Sequence, residues 1–194
     1  SEIAKKYNVS NNNFNGFNIL QQDISKVGAI DIGFYNQDFA QNFDQNIKNH
    51  INKFNPVVFL LSSDEINHSI LEGAFIVYLG HHGDDLAQLA DIVLPSPAYT
   101  EKSSTYMNME GRVLQTTRCY HPLGVSKEEW KIFRALSNNF SQKLKFNNLS
   151  ELRNEISNLF PVFKEINNLP SSSKLDFGSS TKIENRALEY NIKN

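Results

Sequence analysis

The 194-residue sequence holds a single cysteine, Cys119. One thiol cannot close a disulfide, and an iron–sulfur cluster needs several thiolates, so neither can be built from this chain alone. Cys119 itself is expected to be a buried or half-buried small hydrophobe rather than a reactive thiol. Long apolar runs are missing too. The longest, Val57 to Leu61 and Phe75 to Leu79, fall far short of the ~20 residues that cross a bilayer as a helix. The opening residues Ser1-Glu2-Ile3-Ala4-Lys5-Lys6 lack the apolar core of a signal peptide and the Arg-rich pattern of a transit peptide. Glycine and proline are sparse, at 9 and 6. No G-x-G-x-x-G and no Walker A pattern occurs, so the usual dinucleotide and nucleoside-triphosphate signatures are absent. A net charge of −2, with Lys and Arg scattered, leaves no basic footprint for nucleic acid and no polybasic anchor for direct membrane insertion.

What is present is a globular composition: 40% apolar, 11% aromatic and 21% charged residues. Asn, Phe, Ile and Lys are abundant. Their codons are A/T-rich, which points to an A/T-rich genome such as a mitochondrial one.

After a polar, Asn-rich lead-in of about fifteen residues, spacing predicts a helix from Ile19 to Val27, with Gly28 and Gly33 as punctuation. Asn36 to Asn55 carries Phe39, Phe43, Ile47, Ile51 and Phe54 every three or four positions, the mark of an amphipathic helix that Pro56 stops. Val57 to Leu61, Phe75 to Leu79 and Asp91 to Leu94 are continuous apolar runs, as in parallel strands buried on both faces. Between the last two, Asp84 to Ala90 fits two helical turns with acids at the N-terminal end. The fold class is therefore α/β: a partial open parallel sheet with flanking helices, its polar loops lying along the carboxyl edge. Thr105 to Met109 and Val113 to Gln115 read as extended arms around a turn at Gly111. A helix is expected from Ser126 to Phe140, with Ser126 and Glu129 as a capping box, and another from Ser150 until Pro161. Residues 1–165 are taken as one domain fragment and 166–194 as an extended polar tail that docks on partner chains.

Chemistry could reside in His81-His82-Gly83-Asp84-Asp85, since imidazoles and carboxylates ligate metals. Adjacent ligands diverge, however, and helical chelation needs a gap of about four residues. A tight turn stabilised by side-chain caps explains the cluster better. Glu101, Glu110 and Arg112 could form an acid/base or anion site, but Glu and Arg beside a glycine turn are more often a structural pair. Ser62-Ser63 lacks the context of a nucleophile elbow. No catalytic, cofactor-binding or metal residues are therefore assigned.

One pattern is more specific. Gly80-His81-His82-Gly83-Asp84, Ala90-Asp91-Ile92-Val93-Leu94-Pro95, Ala98-Tyr99-Thr100-Glu101-Lys102-Ser103, Thr105-Tyr106, Asn108, Glu110-Gly111-Arg112 and Gln115 closely resemble the C-terminal domain of the 75-kDa iron–sulfur subunit of respiratory complex I (the G subunit in bacteria). The likeness continues through Trp130 to Ser137 and upstream through Asn18 to Phe34. That domain is similar to the molybdopterin oxidoreductases, where T-E-x-x-x-T-Y-x-N-x-E-G-R recurs. The resemblance implies a molybdopterin-oxidoreductase-like subdomain acting as a scaffold. Glu101, Asn108, Glu110, Gly111 and Arg112 would hold the loop-and-turn core, and His81, His82 and Asp84 would shape the turn after the second strand. Ser104 stands where pterin-binding members often carry Gly, a departure that argues against a bound pterin.

The family's cluster-ligating N-terminal region and the first part of the pterin-like domain have no counterpart here. The resemblance thus implies the C-terminal half of a split subunit, or a processed fragment, with no cofactor of its own and with the iron–sulfur clusters in a partner N-terminal part. Its implied place is the peripheral arm of complex I at the mitochondrial inner membrane, matrix side, or the cytoplasmic side in a bacterium, among other peripheral-arm subunits. Two other readings stand beside it: half of an active pterin- or metal-dependent oxidoreductase, and an unrelated interaction module.

Overall fold

The computed structural model describes residues 2–11, 14–17, 20–21, 23–34, 42–63 and 66–169. The chain divides into two compact units: the described residues of the first lie within Ser1–Leu20, and the second is Gln21–Leu169. The described part of the first unit holds a short helix, α1 (Glu2–Lys6), and two short strands, β1 (Ser10–Asn11) and β2 (Phe14–Asn15), paired antiparallel. The tail from Pro170 lies outside the described residues, as do Ile19 and Phe39.

The second unit begins with α2 (Lys26–Asp31). The expected Ile19–Val27 helix is thus displaced toward the C-terminus. Asp23 and Ile24 form a turn and Ser25 takes a left-handed backbone (φ 62°), so the helix starts only at Lys26. A long-range contact sets this start: Ser25 Oγ accepts from Met107 N–H at 2.9 Å, and a Cβ on Gly28 would sit 3.2 Å from Met107 Cβ. Helix α3 (Phe43–Phe54) ends as expected, with Asn55 left-handed (φ 44°) ahead of Pro56.

Strands β3 (Val57–Leu61), β4 (Phe75–Gly80) and β5 (Ile92–Pro95) form a parallel sheet in the order β3-β4-β5. Register pairs Phe59 with Val77 and Val77 with Ile92, so these side chains share one face, while Leu60, Tyr78 and Val93 share the other. The second face carries the core. Leu60, Ile76 and Tyr78 pack there with Ile51 of α3, with Ile70 and Leu71 of the turn after β3, and with Leu86 of α4 (Asp85–Leu89). Each such side chain contributes on the order of 1.5–3 kcal/mol when fully buried.

Burial on both faces holds only for the central strand. Val77 and Leu79 are buried, but Val57 is 55% exposed and Ile92 43%. The apolar runs at the two edges are therefore half-covered, because an edge strand has a neighbour on one side only.

After β5 come the antiparallel β6 (Thr105–Met107) and β7 (Val113–Gln115), the two arms expected around Gly111. Helix α5 (Glu129–Leu136) starts later than the expected Ser126. Ser126 instead closes a turn on Leu123 O, and Lys127 N–H donates to Pro95 O at 3.0 Å, which ties this stretch to the end of β5 in extended form. Phe133 of α5 reaches the open sheet face at Phe59, with ring centroids 5.4 Å apart. Helix α6 (Leu149–Leu159) follows, capped by Asn148 and ended before Pro161. Ile166 then bridges to Val113 of β7, and Asn167 N–H donates to Val113 O at 2.8 Å.

Candidate functional site

Parallel strands bring three loops to one edge of the sheet: Ser62-Ser63, His81 to Asp84, and Ser96-Pro97. Asp84 organises the middle one. Its backbone is extended (ψ −174°) and its Oδ1 accepts from Ala87 N–H at 3.0 Å, satisfying one of the orphan donors of α4. Oδ2 accepts from the Tyr78 hydroxyl at 3.0 Å. The Ala87 bond, then the Tyr78 bond, with the nearby His82 adding to them, hold this carboxyl below its usual 3.8 against the desolvation that would raise it. His81 and His82 are both exposed, with ring centroids 4.1 Å apart.

The second cluster forms the loop and hairpin that follow. Glu101 Oε2 accepts from Ala98 N–H at 3.1 Å, closing a short helical turn over Tyr99–Glu101. Asn108 Oδ1 accepts from both Glu110 N–H and Arg112 N–H at 3.0 Å, while Gly111 supplies the left-handed backbone (φ 80°) that the turn between β6 and β7 requires. Arg112 lies 3.8 Å from Glu110 and its Nη1 donates to Asn167 O. The two groups are separate: His81, His82 and Asp84 belong to the sheet edge, Asn108, Glu110, Gly111 and Arg112 to the hairpin, with Glu101 between them in sequence.

Three side chains that sequence reasoning passed over complete this frame. Tyr78 reads in the sequence only as part of an apolar run, although it is the partner of Asp84. Asp91 Oδ2 accepts from Ile76 N–H at 2.7 Å, and Asp91 N–H returns to Ile76 O at 3.0 Å, which fixes the entry to β5 beside β4. An acid immediately before an apolar run was the available signal. Glu128 is buried and accepts from Trp130 Nε1 at 3.0 Å and Lys131 Nζ at 2.7 Å. Burial pushes its carboxyl up, but those two bonds and the charges of Lys131 and Arg118 outweigh it and bring it below 4.5. Cys119, expected to be at least half-buried, is exposed. Its N–H and that of Tyr120 both donate to Thr100 O, which holds their loop by its backbone and leaves the thiol outside.

A molybdopterin oxidoreductase family model matches residues 1–139. The chain belongs to the molybdopterin oxidoreductase family. It is 38% identical over 85% of its length to the 75 kDa subunit of NADH-ubiquinone oxidoreductase from Reclinomonas americana. It is 35% identical over 96% to the G subunit of NADH-quinone oxidoreductase from Rickettsia bellii. With the mitochondrial 78 kDa subunit of NADH-ubiquinone oxidoreductase from Candida albicans it shares 41% over 82%. These matches cover 23%, 26% and 21% of the respective relatives, so the chain spans about a quarter of their length.

Family membership raises the question of a pterin. Such a group carries phosphate, which needs free N–H donors and positive charge. The sheet edge supplies the reverse. The first turn of α4 is capped by Asp84, an anion held in its charged form. Above Gly80, where a ligand could approach the backbone closely, the Tyr78 ring already fills the space: an added Cβ would meet its Oη at 2.4 Å. Ser96 Oγ, buried at this edge without a hydrogen-bond partner, is neutral and shielded. The residues at this edge do not fit a pterin phosphate.

Proposed function

We propose that this chain is a non-catalytic structural part of the peripheral arm of respiratory complex I, supporting electron transfer from NADH to ubiquinone without carrying clusters itself. The observation that carries the reading is similarity to the 75 kDa, 78 kDa and G subunits of NADH-ubiquinone and NADH-quinone oxidoreductases over 82% to 96% of the chain. Three features support it. A single thiol cannot ligate a cluster, so the iron–sulfur clusters belong to the N-terminal part of the subunit, the first partner of this chain. The sheet edge is closed by its own Tyr78 and Asp84. The face of the sheet around Val57, Phe75 and Ile92 is half-covered, which suits packing against the rest of a much longer subunit.

In this reading His81, His82 and Asp84 shape the turn after β4, while Glu101, Asn108, Glu110, Gly111 and Arg112 hold the loop and hairpin. The place of action is the mitochondrial inner membrane on the matrix side, or its bacterial counterpart on the cytoplasmic side. No helix of the described residues is long and apolar enough to cross a membrane. In this reading attachment runs through other peripheral-arm subunits.

Mass spectrometry of native-gel bands from source membranes tests this. The expected result is co-migration with a large NADH dehydrogenase that contains a cysteine-rich N-terminal iron–sulfur part. Migration as a free small species, or a fluorescent pterin extracted from the assembly in stoichiometric amount, would overturn it. The latter would bring back the active pterin enzyme.

A further inference from the structure

Helix α6 separates its charges. Glu151 and Glu155 lie one turn apart on the side opposite Arg153, while Ser150, Arg153, Asn154 and Asn158, at i, i+3, i+4 and i+8, form a stripe that meets the glutamates at its asparagine margin. That second stripe is open to solvent at Ser150, Asn154 and Asn158 and half-buried at Arg153. Together with Phe163 and Lys164 of the turn that follows, it lines a groove of about 620 Å³ against the end of β7.

The electrostatics of this groove are one-sided. Arg153 and Lys164 line it, and no carboxylate does. Neither cation is in an ion pair among the described residues. The acids nearest in sequence, Glu151 and Glu155 beside Arg153 and Glu165 beside Lys164, do not line the groove, and Glu151 accepts from Asn147 N–H at 2.6 Å and from Asn148 Nδ2 at 2.7 Å. Arg153 Nη2 donates to Ser104 O at 3.2 Å, but its Nε is buried with no hydrogen-bond partner. A half-buried guanidinium with an orphaned donor and no counter-ion is unfavourable until an anion joins it.

We propose that this groove binds the phosphate group of a small organic phosphomonoester. A dianionic phosphate matches the two uncompensated charges, whereas a carboxylate would neutralise only one. The Ser150 hydroxyl and the Asn154 and Asn158 amides add neutral donors. Phe163 supplies an apolar wall for the organic remainder, and the volume falls within the range of small-molecule sites. This site lies away from the sheet edge, and it does not depend on the chain being a complex I scaffold.

Phenyl phosphate binding to the full chain, followed by ³¹P NMR line broadening at constant ionic strength, tests the site. Saturable binding is expected, with competition by inorganic phosphate and none by acetate at equal ionic strength. Arg153→Gln and Lys164→Gln should each weaken binding roughly tenfold, the scale of losing one charge-assisted hydrogen bond. Because Arg153→Gln also removes the contact to Ser104, Lys164→Gln, on an exposed side chain, carries the decision. No saturable binding, unchanged affinity in Lys164→Gln, or equal competition by acetate would each overturn the assignment.

Discussion

The buried phenol of Tyr78 donates to Asp84 Oδ2 at 3.0 Å, while the other oxygen of the same carboxylate caps α4 through Ala87 N–H at 3.0 Å. One side chain thus joins the central strand to the helix that follows it. Tyr78→Phe removes one of these bonds and Asp84→Ala removes both. Thermal melting should place Asp84→Ala below Tyr78→Phe, and Asp84→Asn above Asp84→Ala, since Asn still accepts at an N-cap. In a double-mutant cycle, Tyr78→Phe should cost less once Asp84 is Ala than it does alone. Fully additive losses would show that the contact does not link strand to helix.

Acid should weaken the fold through the same carboxylate. Asp84 is held below 3.8 by its bonds to Ala87 and Tyr78, and Glu128 below 4.5 despite burial, by Trp130 and Lys131. A depressed folded value means that the charged form is favoured by folding. Its contribution is therefore complete above the ordinary carboxylate range and is lost as pH falls through the folded values. Melting midpoints should be insensitive to these two groups near neutrality and fall below about pH 4.5. The Asp84→Asn, Glu128→Gln double variant should show a shallower acid limb. An identical slope would assign the acid sensitivity to other groups.

Gly80 tests whether the Tyr78 ring must sit where it does. A Cβ there would approach the hydroxyl oxygen at 2.4 Å and two ring carbons at 2.5 Å, too close for any side chain without displacement. Tyr78 is 2% exposed, so the ring cannot simply swing into solvent. Gly80→Ala should cost about 1–3 kcal/mol, the usual scale of overpacking. Adding Tyr78→Leu removes the clash, and the pair should lose less than the sum of the singles in denaturant melts. If Gly80→Ala is neutral, the ring has an alternative position and does not close the edge.

These relationships explain what could be seen in the sequence and what could not. Strands β3, β4 and β5 are legible because short apolar runs bounded by polar loops mark strands, although only β4 is buried on both faces, and α4 because its acids stand at its N-terminal end. Features set by distant contacts are not. The start of α2 depends on Ser25 meeting Met107, 82 residues on. That of α5 depends on Lys127 bonding to Pro95, which defeats a capping-box spacing at Ser126 and Glu129 that is correct only locally. Tyr78 and Asp84 meet because the β4-to-α4 turn folds back on the strand, and neither residue alone signals that.

The hairpin between β6 and β7 rests on Asn108 and Gly111. Asn108 Oδ1 satisfies two backbone donors, and Gly111 at φ 80° holds a conformation that costs other residues about 1–2 kcal/mol. Gly111→Ala should therefore lose about 1 kcal/mol, and Asn108→Ala a similar amount. Amide hydrogen exchange should accelerate first at Glu110 and Arg112 in Asn108→Ala. Unchanged protection at those two amides would mean that the strands, not the asparagine, set the turn.

The loop before the hairpin is tied to α5 by one ion pair, Lys102 Nζ to Glu129 Oε1 at 2.6 Å, with each side chain 21% exposed. Its worth lies between two limits. A fully exposed pair contributes about 0–1 kcal/mol, and breaking a fully buried one costs about 3–5 kcal/mol. Partial burial on both sides places the coupling near ~1–2 kcal/mol. Each single change also leaves its partner's charge partly desolvated, so Lys102→Met and Glu129→Gln should both destabilise, and the double variant should recover part of the loss. Raising salt from roughly 0.05 to about 0.5 M should narrow the difference only slightly, because screening acts less on a pair withdrawn from solvent. A coupling near zero, or one abolished by salt, would make this contact a surface pair and leave Lys127 bonding to Pro95 as the tie that positions the start of α5.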